Sequence, residues 1–445
     1  MNSPLANPAF RSLFASQICS LLGVGLLTVA LSLAAYRIGG AAFGGQLLGM
    51  LLALKMVAYV VLAPLAETLL SGLRRKPAMV SLGLGRMLLL LPMTFVTQTW
   101  QVAALVFVFF SLTAGFTPLF QSVVPDILPE EDVYTKALAW SRVAYTLEAV
   151  LSPVIAAVLL NGLAAHELFF ASATFFAGSV LALLLTHFPT HREVSRKGPF
   201  LKSAFRGVWI YRQTPRLRGL VLLNLSLSIV MAWVLVNTVV YAGARLGNAE
   251  RFFPMLMASY GIGAALGAFA VPKLLHRISE RNVILIGVSG FSVAGAAFAT
   301  LPIVPAPLLT VIWAIFGFVS SLVITPGGLV TTRSAARRDR PAVFAAQFSL
   351  SHAAWLVAYP LAGWLGGVVS LEMALLVLSG MSAVVASVAI LVWPNNDPLE
   401  RAHSHHDLPD KHPHLKQVPV SGASRQHVHA YHIDDLHPNW NRRST

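Results

Sequence analysis

Five ionisable side chains stand inside long apolar stretches of this 445-residue chain: Lys55, Arg86, Arg142, Glu148 and His352. Placing a charge at the centre of a bilayer costs roughly 2.5–3.5 kcal/mol on insertion scales, so such residues are paired or functional. Glu148, in "YTLEAVLSP", is the leading candidate for proton exchange. Burial favours the neutral form of any carboxylic acid, and a group that takes up and releases a proton is what coupling to a proton gradient needs. The competing reading is a structural pair with Lys55 or Arg142. Lys55 must face a cavity or a partner. His352 can exchange a proton or ligate a metal, or simply bond a backbone carbonyl. Arg142 lies in the cytoplasmic third of its stretch, where it can snorkel to the surface or serve proton coupling or transport. Arg86 can do the same, or bind the acidic loop holding Asp126, Glu130, Glu131 and Asp132, and the structural role is favoured. Gln17, Gln121, Asn224 and Asn237 are polar candidates for a cavity, with hydrogen bonding between helices as the alternative.

A second group lies near the C-terminus. Nine of the 14 histidines fall there: His403, His405, His406, His412, His414, His427, His429, His432 and His437. Asp407, Asp410, Asp434 and Asp435 are interspersed with them. Neutral imidazole suits Zn, Cu, Fe and Ni. The spacing is too irregular to define one coordination geometry, which leaves weak multivalent chelation or a solvated tail. Met50, Met56, Met231, Met255, Met257 and Cys19 offer soft ligands, though methionines in apolar helices ordinarily serve packing. The chain has no Walker sequence, so nothing indicates ATP hydrolysis.

The elements that carry these residues follow from composition. The chain is 56% hydrophobic and 11% charged, where a soluble domain carries about 25% charge. That excludes a water-soluble enzyme or nucleic-acid binder as the source of the +14 net charge. The apolar runs are continuous, not alternating, so the spanning elements are helices and not a barrel. Twelve spans are expected: 11–35, 46–70, 78–98, 100–121, 137–160, 167–187, 219–241, 253–275, 282–302, 306–329, 342–367 and 372–393. An even number puts both termini on one side. The loops of that side hold 20 Lys and Arg residues, and the opposite loops hold only Arg37, Arg245 and Arg251. The positive-inside rule therefore places both termini in the cytoplasm.

The spans form two related sets. "TPLF" at 117 recurs as "TPGG" at 325, Pro64 corresponds to Pro272, and Pro153 corresponds to Pro360, with shifts of about 208 residues. The expected organisation is a six-helix half at 1–187, a basic linker at 188–218, a second six-helix half at 219–394, and a disordered His-rich tail at 395–445. In the linker, Leu201, Phe205, Val208 and Trp209 share a helical face suited to the membrane surface. Halves of this kind place a binding site between them, near the midplane.

Over residues 8–395 the chain resembles the major facilitator superfamily. The stretch "APLAETLLSGLRRKPAMV" is similar to that family's inner-loop motif, with Glu67 where aspartate is usual and Gly72, Arg74, Arg75 and Lys76 as the basic end. In the family this loop latches the inner gate through charges, which assigns that role to Glu67 with Arg74 or Arg75. "LEAVLSPVIAAVLL" keeps only Pro153 of the antiporter motif. The segment from "AGFTPLF" through "AVLSPVIAAVLL" resembles bacterial exporters of siderophores, macrolides and nickel. Nickel-resistance members also end in a His-rich tail.

The resemblance implies a non-enzymatic, multi-pass transporter of the bacterial inner membrane, coupled to protons. Nickel or another divalent metal is the first expected cargo and tail ligand, without a resident cofactor. A drug-like or siderophore-like organic molecule is the second, and a membrane-embedded metal sensor the third. The expected partners are the lipid bilayer, protons and a small solute or metal ion; neither nucleic acid nor an obligate protein partner is implied.

Overall fold

The computed structural model describes residues 3–62, 73–188, 200–301, 304–336, 338–397, 400–404, 426–434, 436–437 and 440. Asn7 opens the bundle. Its side chain accepts the backbone N–H groups of Ala9 and Phe10, and Pro8 fills the first helical position, where a missing N–H costs nothing. Helical structure then runs from Pro8 to Val57, but Gly40 sits at φ 59° and ψ −155°. Only glycine tolerates that region without strain. It divides the run into α1 (8–39) and α2 (41–57). A π-helical turn, Ala58–Leu62, ends α2.

The remaining helices of the first half are α3 (Arg75–Met93), α4 (Thr99–Ile127), α5 (Glu131–Leu159) and α6 (Leu168–Leu185). The short helix α7 (Phe200–Gln213) leads to the second half: α8 (Pro215–Ala244), α9 (Ala249–Leu275), α10 (Glu280–Thr300), α11 (Ala306–Arg333), α12 (Arg340–Val368) and α13 (Leu371–Val392). Ten stretches among the described residues are long and apolar enough to cross a membrane. The first of them, Pro8–Leu62, is the pair α1 and α2. Helix α3, with Arg75, Lys76 and Arg86 in its 19 residues, completes twelve. Two six-helix halves result. Pro153 and Pro360 fall inside α5 and α12 at corresponding places, as the repeat requires.

Each half has its own packing. In the second, Trp233, Trp313, Phe298, Phe291 and Phe316 form a buried aromatic column. The indole N–H of Trp233 donates to the Leu371 carbonyl at 2.9 Å, and that of Trp313 to the Thr238 hydroxyl at 3.0 Å. Ser226, Ser292 and Ser382 link α8, α10 and α13 by hydroxyl bonds of 2.8 and 2.9 Å. In lipid there is no water to drive helices together, so close packing and such bonds hold them.

The halves meet where small residues let backbones approach. A Cβ on Gly49 of α2 would lie 2.5 Å from the Tyr359 carbonyl of α12, and one on Gly363 would strike the Gly45 carbonyl. A Cβ on Gly261 of α9 would come within 2.6 Å of the Ala149 carbonyl of α5. The Tyr36 ring of α1 occupies the space beside Gly243 of α8. By chain direction these contacts lie at the midplane or beyond it, away from the termini.

At the terminus-bearing end, the C-terminal segment departs from the expectation of disorder. Strands β1 (Glu400–Ser404) and β2 (Gln426–Ala430) pair antiparallel. Tyr431 and Ile433 are buried in the main core, and Trp440 packs partly against it. Trp440 also lies under two guanidinium groups, those of Arg216 at 5.1 Å and Arg401 at 4.6 Å. Asp397 bridges Arg216 and Arg401 at 3.0 and 2.9 Å. Residues 405–425 lie outside the described ones.

Candidate functional site

Three side-chain pairs spaced four residues apart build the centre. On a helix, positions i and i+4 face the same way. Lys55 and Tyr59 come from α2 and its π turn, Glu148 and Ser152 from α5, and Phe348 and His352 from α12. The Lys55 ammonium stands 5.0 Å from the Phe110 ring centre of α4 and 5.9 Å from that of Tyr59. The negative faces of aromatic rings attract such a cation, most strongly when it is desolvated. Lys55 and Glu148 feel each other's charge, yet form no salt bridge among the described residues. The pairing weighed for Glu148 is thus a longer-range interaction.

Glu148 owes its place to α1. Its Oε1 lies 2.5 Å from where a Cβ on Gly25 would stand, and the Ser152 side chain crowds the same point. Only glycine leaves room there. Ser152 is 1% exposed, and its hydroxyl is buried beside the Glu148 carboxyl. Ser152 and Gly25 carry no signal of their own in the sequence; the spacing of Ser152 from Glu148 is the one available clue.

His352 bridges the halves. Its ring meets Tyr59 edge-on at 5.6 Å and overlaps Phe348 at 3.9 Å. Nδ1 lies 2.7 Å from the Phe348 carbonyl, which can only accept, so Nδ1 carries the proton and Nε2 remains as the acceptor or ligating nitrogen. Lys55 is also within electrostatic reach of His352. Tyr59 therefore touches both Phe110 of its own half and His352 and Phe348 of the other. Tyr59 was not among the candidates singled out from the sequence, where its one signal is its position four residues after Lys55.

The other residues singled out from the sequence lie apart. Gln17 accepts a hydrogen bond from Ser141 at 3.0 Å, joining α1 to α5. Gln121 is exposed on α4. The Asn237 amide donates to the Ala362 carbonyl at 2.9 Å and lies against Gly45 and Gly366, at the seam between halves. The amide nitrogen of Asn224 is buried without a partner among the described residues. Of Arg142, only the backbone within α5 is described.

Arg86 corrects an expectation. It neither reaches the surface nor binds the acidic loop. It is 1% exposed, donates to the Ser20 hydroxyl at 3.2 Å, and lies over the rings of Phe116 at 3.9 Å and Phe176 at 4.9 Å. Arg75 takes the acidic partner instead, in an ion pair with Asp126. Lys76 donates to the Leu184 and Thr186 carbonyls at 2.7 and 2.8 Å, closing the end of α6. Arg74 stands exposed just before α3. Glu67 and Gly72 lie outside the described residues.

In the tail, the backbones of His403 and His427 are direct partners in the β1–β2 register. His437 Nδ1 pairs with Asp434 at 2.8 Å, and His432 Nε2 lies 3.2 Å from the Arg333 carbonyl. His429 falls within β2; His405, His406, His412 and His414 lie outside the described residues. No group of three or more His, Cys, Asp and Glu among the described residues is placed to hold a metal ion.

The chain matches the family model described as Major Facilitator Superfamily over residues 13–304, and again over 221–428. It is 27% identical over 189 residues to the uncharacterized MFS-type transporter YfiS of Bacillus subtilis (strain 168), a match covering 41% of this chain and 44% of that relative. It is 26% identical over 341 residues to the enterobactin exporter EntS of Salmonella choleraesuis (strain SC-B67), covering 71% of this chain and 75% of that one. Among solved structures, the fold resembles the nucleoside transporter NupG, with TM-score 0.68 and 13% identity over 86% of this chain and 100% of the other. It also resembles a bacterial homolog of the human lysosomal transporter Spinster, with TM-score 0.66 and 15% identity over 87% and 96% of the two chains.

Proposed function

The chain belongs to the major facilitator superfamily, and from that premise we propose that it is a proton-coupled exporter of an organic, siderophore-like molecule, working by alternating access. The observation that carries this reading is the Lys55–Tyr59–Phe110–Phe348–His352 constellation at the meeting of the halves. Aromatic faces around one ammonium suit a flat, polar organic molecule: the rings offer stacking surface and Lys55 offers a charge and hydrogen-bond donors. The likeness to the enterobactin exporters supports the same direction of transport and class of cargo. Both termini face the cytoplasm in this reading, and the membrane is the bacterial inner one.

Coupling follows from charge. While Glu148 is ionised, it balances Lys55 within the first half. When Glu148 takes a proton, the Lys55 charge is left to act on the seam, where His352 of the other half stands. Losing the attraction between the Lys55 and Glu148 charges is worth roughly 3 kcal/mol at an effective dielectric near 20. A shift of that size changes the populations of two conformers about a hundredfold. A proton on Glu148 can therefore bias the two halves between their arrangements without any large local movement.

A divalent metal, nickel first, is the second reading, and the His-rich tail is its support. The tail lies at the terminus-bearing end, so metal held there is captured ahead of passage and not during it. Counterflow into proteoliposomes separates the two. Exchange of labelled siderophore, unaffected by nickel, supports the organic reading. Robust nickel exchange without siderophore exchange rejects it.

A further inference from the structure

Helix α7 has two unlike faces. Gly207, Ile210 and Tyr211 are buried, while Phe205 is 69% exposed, Val208 44% exposed, and Arg212 exposed. Positions 205, 208 and 212 follow the i, i+3, i+7 spacing of a single helical face. The buried face packs on α12. A Cβ on Gly207 would strike the Ala342 carbonyl, the Tyr211 hydroxyl donates to Gln347, and Arg206 pairs with Asp339 at 2.5 and 3.1 Å. Gln347 immediately precedes Phe348 of the central constellation.

The position of α7 is fixed by its join to α8. Thr214 alone separates the end of α7 from Pro215, the first residue of a membrane-crossing helix. The exposed face therefore lies at the membrane surface. Its sequence, "FLKSAFRGVWIYRQ", holds Lys202, Arg206 and Arg212 and no acidic residue. Trp209, which the sequence pattern put on the apolar outer face, is half-buried and packs against the protein core.

We propose that the Phe205–Val208–Arg212 face of α7 binds the anionic headgroups of membrane lipid and, through Gly207 and Tyr211, holds the adjoining end of α12 in place. Apolar residues enter the interface and basic ones meet the negative lipid surface, the combination that ties amphipathic helices to anionic membranes. An anionic lipid would then act on transport without touching cargo, because α12 carries Phe348 and His352. In the orientation proposed above this lipid belongs to the cytoplasmic leaflet, but the binding itself does not depend on that orientation or on the cargo.

The test uses the full chain with Cys19→Ser and Phe205→Cys, the new thiol carrying a polarity-sensitive dye. The protein is placed in nanodiscs of phosphatidylcholine alone, or of phosphatidylcholine with phosphatidylglycerol at about 7:3. The expected result is a blue-shifted dye, shielded from an aqueous quencher, only where phosphatidylglycerol is present, with the shift reversed by high salt. Each basic residue contributes about fivefold to binding an anionic surface, so Lys202→Gln with Arg212→Gln should abolish the lipid dependence. Amide exchange over 340–348 should slow with phosphatidylglycerol in the parent and not in the double variant. Equal dye emission in both lipid compositions would overturn the anchoring. A lipid-dependent dye with unchanged exchange on α12 would overturn its influence on that helix.

Discussion

Glu148, Lys55 and His352 stand out in the sequence because charge inside an apolar run is costly, and the structure brings all three toward one centre. What the sequence hides is the company they keep. Tyr59, Phe110 and Phe348 are unremarkable aromatics until the helices are assembled, and Gly25 is one glycine among 32. Yet Gly25 creates the space that Glu148 and Ser152 fill. Gly25→Ala should lower the stability of the first half by about 1–3 kcal/mol, the usual cost of overpacking, read as a fall in the melting temperature of the purified protein; an unchanged melting point would mean that α5 sits elsewhere. Tyr59→Ala removes the ring that touches both halves. It should weaken cargo binding several-fold and, as a ring lost from a packed seam, lower the melting temperature as well, whereas Tyr59→Phe keeps the ring and should do neither, checked by equilibrium binding and thermal unfolding. Arg86 carries the opposite lesson. Its charge looked suited to the acidic loop, but sequence distance says nothing about which face of α3 it occupies, and it turns inward to Ser20 and two phenylalanines.

Most helices were legible because they are long, largely apolar runs; α2 is the exception at its end, where the α-helix stops at Val57 and not at the expected 70, with 63–72 outside the described residues. The breaks were less legible. Gly40 looks like any turn glycine, yet only its positive φ separates α1 from α2. The ordered parts of the tail were not legible at all. Polar composition argues for disorder, but docking depends on a few residues far apart in the chain: Arg216 with Asp397, 181 positions away, and Trp440 under Arg216 and Arg401. Trp440→Ala removes two cation–ring contacts, each worth about 0.5–2 kcal/mol. It should raise amide exchange over 400–404 about tenfold or more; unchanged exchange would show that the strands need no anchor. Acid should loosen the same segment. Burial alone would push the Asp434 carboxyl up, but hydrogen bonds from the His437 ring and backbone, with that ring's charge, hold it down at about 2 against an ordinary 3.8. A carboxyl lowered on folding contributes stability above its ordinary value and loses it as pH falls through the lower one. Protection from exchange over 431–437, relative to the intrinsic rate at each pH, should therefore fall as the pH drops from about 4 to 2, and stay level in Asp434→Asn.

The twofold repeat was visible in two pairs of prolines and a pair of Thr-Pro sites, and it pointed to the architecture of two six-helix halves. The conformation is a property of the whole, which no local pattern encodes. Glycine contacts join α2 to α12 and α5 to α9, and Tyr36 rests beside Gly243, all away from the terminus-bearing end. Alternating access requires that seam to part. With Cys19→Ser as background, a short thiol cross-linker joining Tyr36→Cys to Gly243→Cys should stop transport, and transport should persist in either single variant. The central claim is that protonation of Glu148 couples the gradient to this movement, and gradient-driven export by Glu148→Gln proteoliposomes tests it most directly. The account predicts that an imposed proton gradient accelerates siderophore export by the parent but not by Glu148→Gln, which still exchanges cargo at equilibrium. Equal acceleration in both proteins would contradict it.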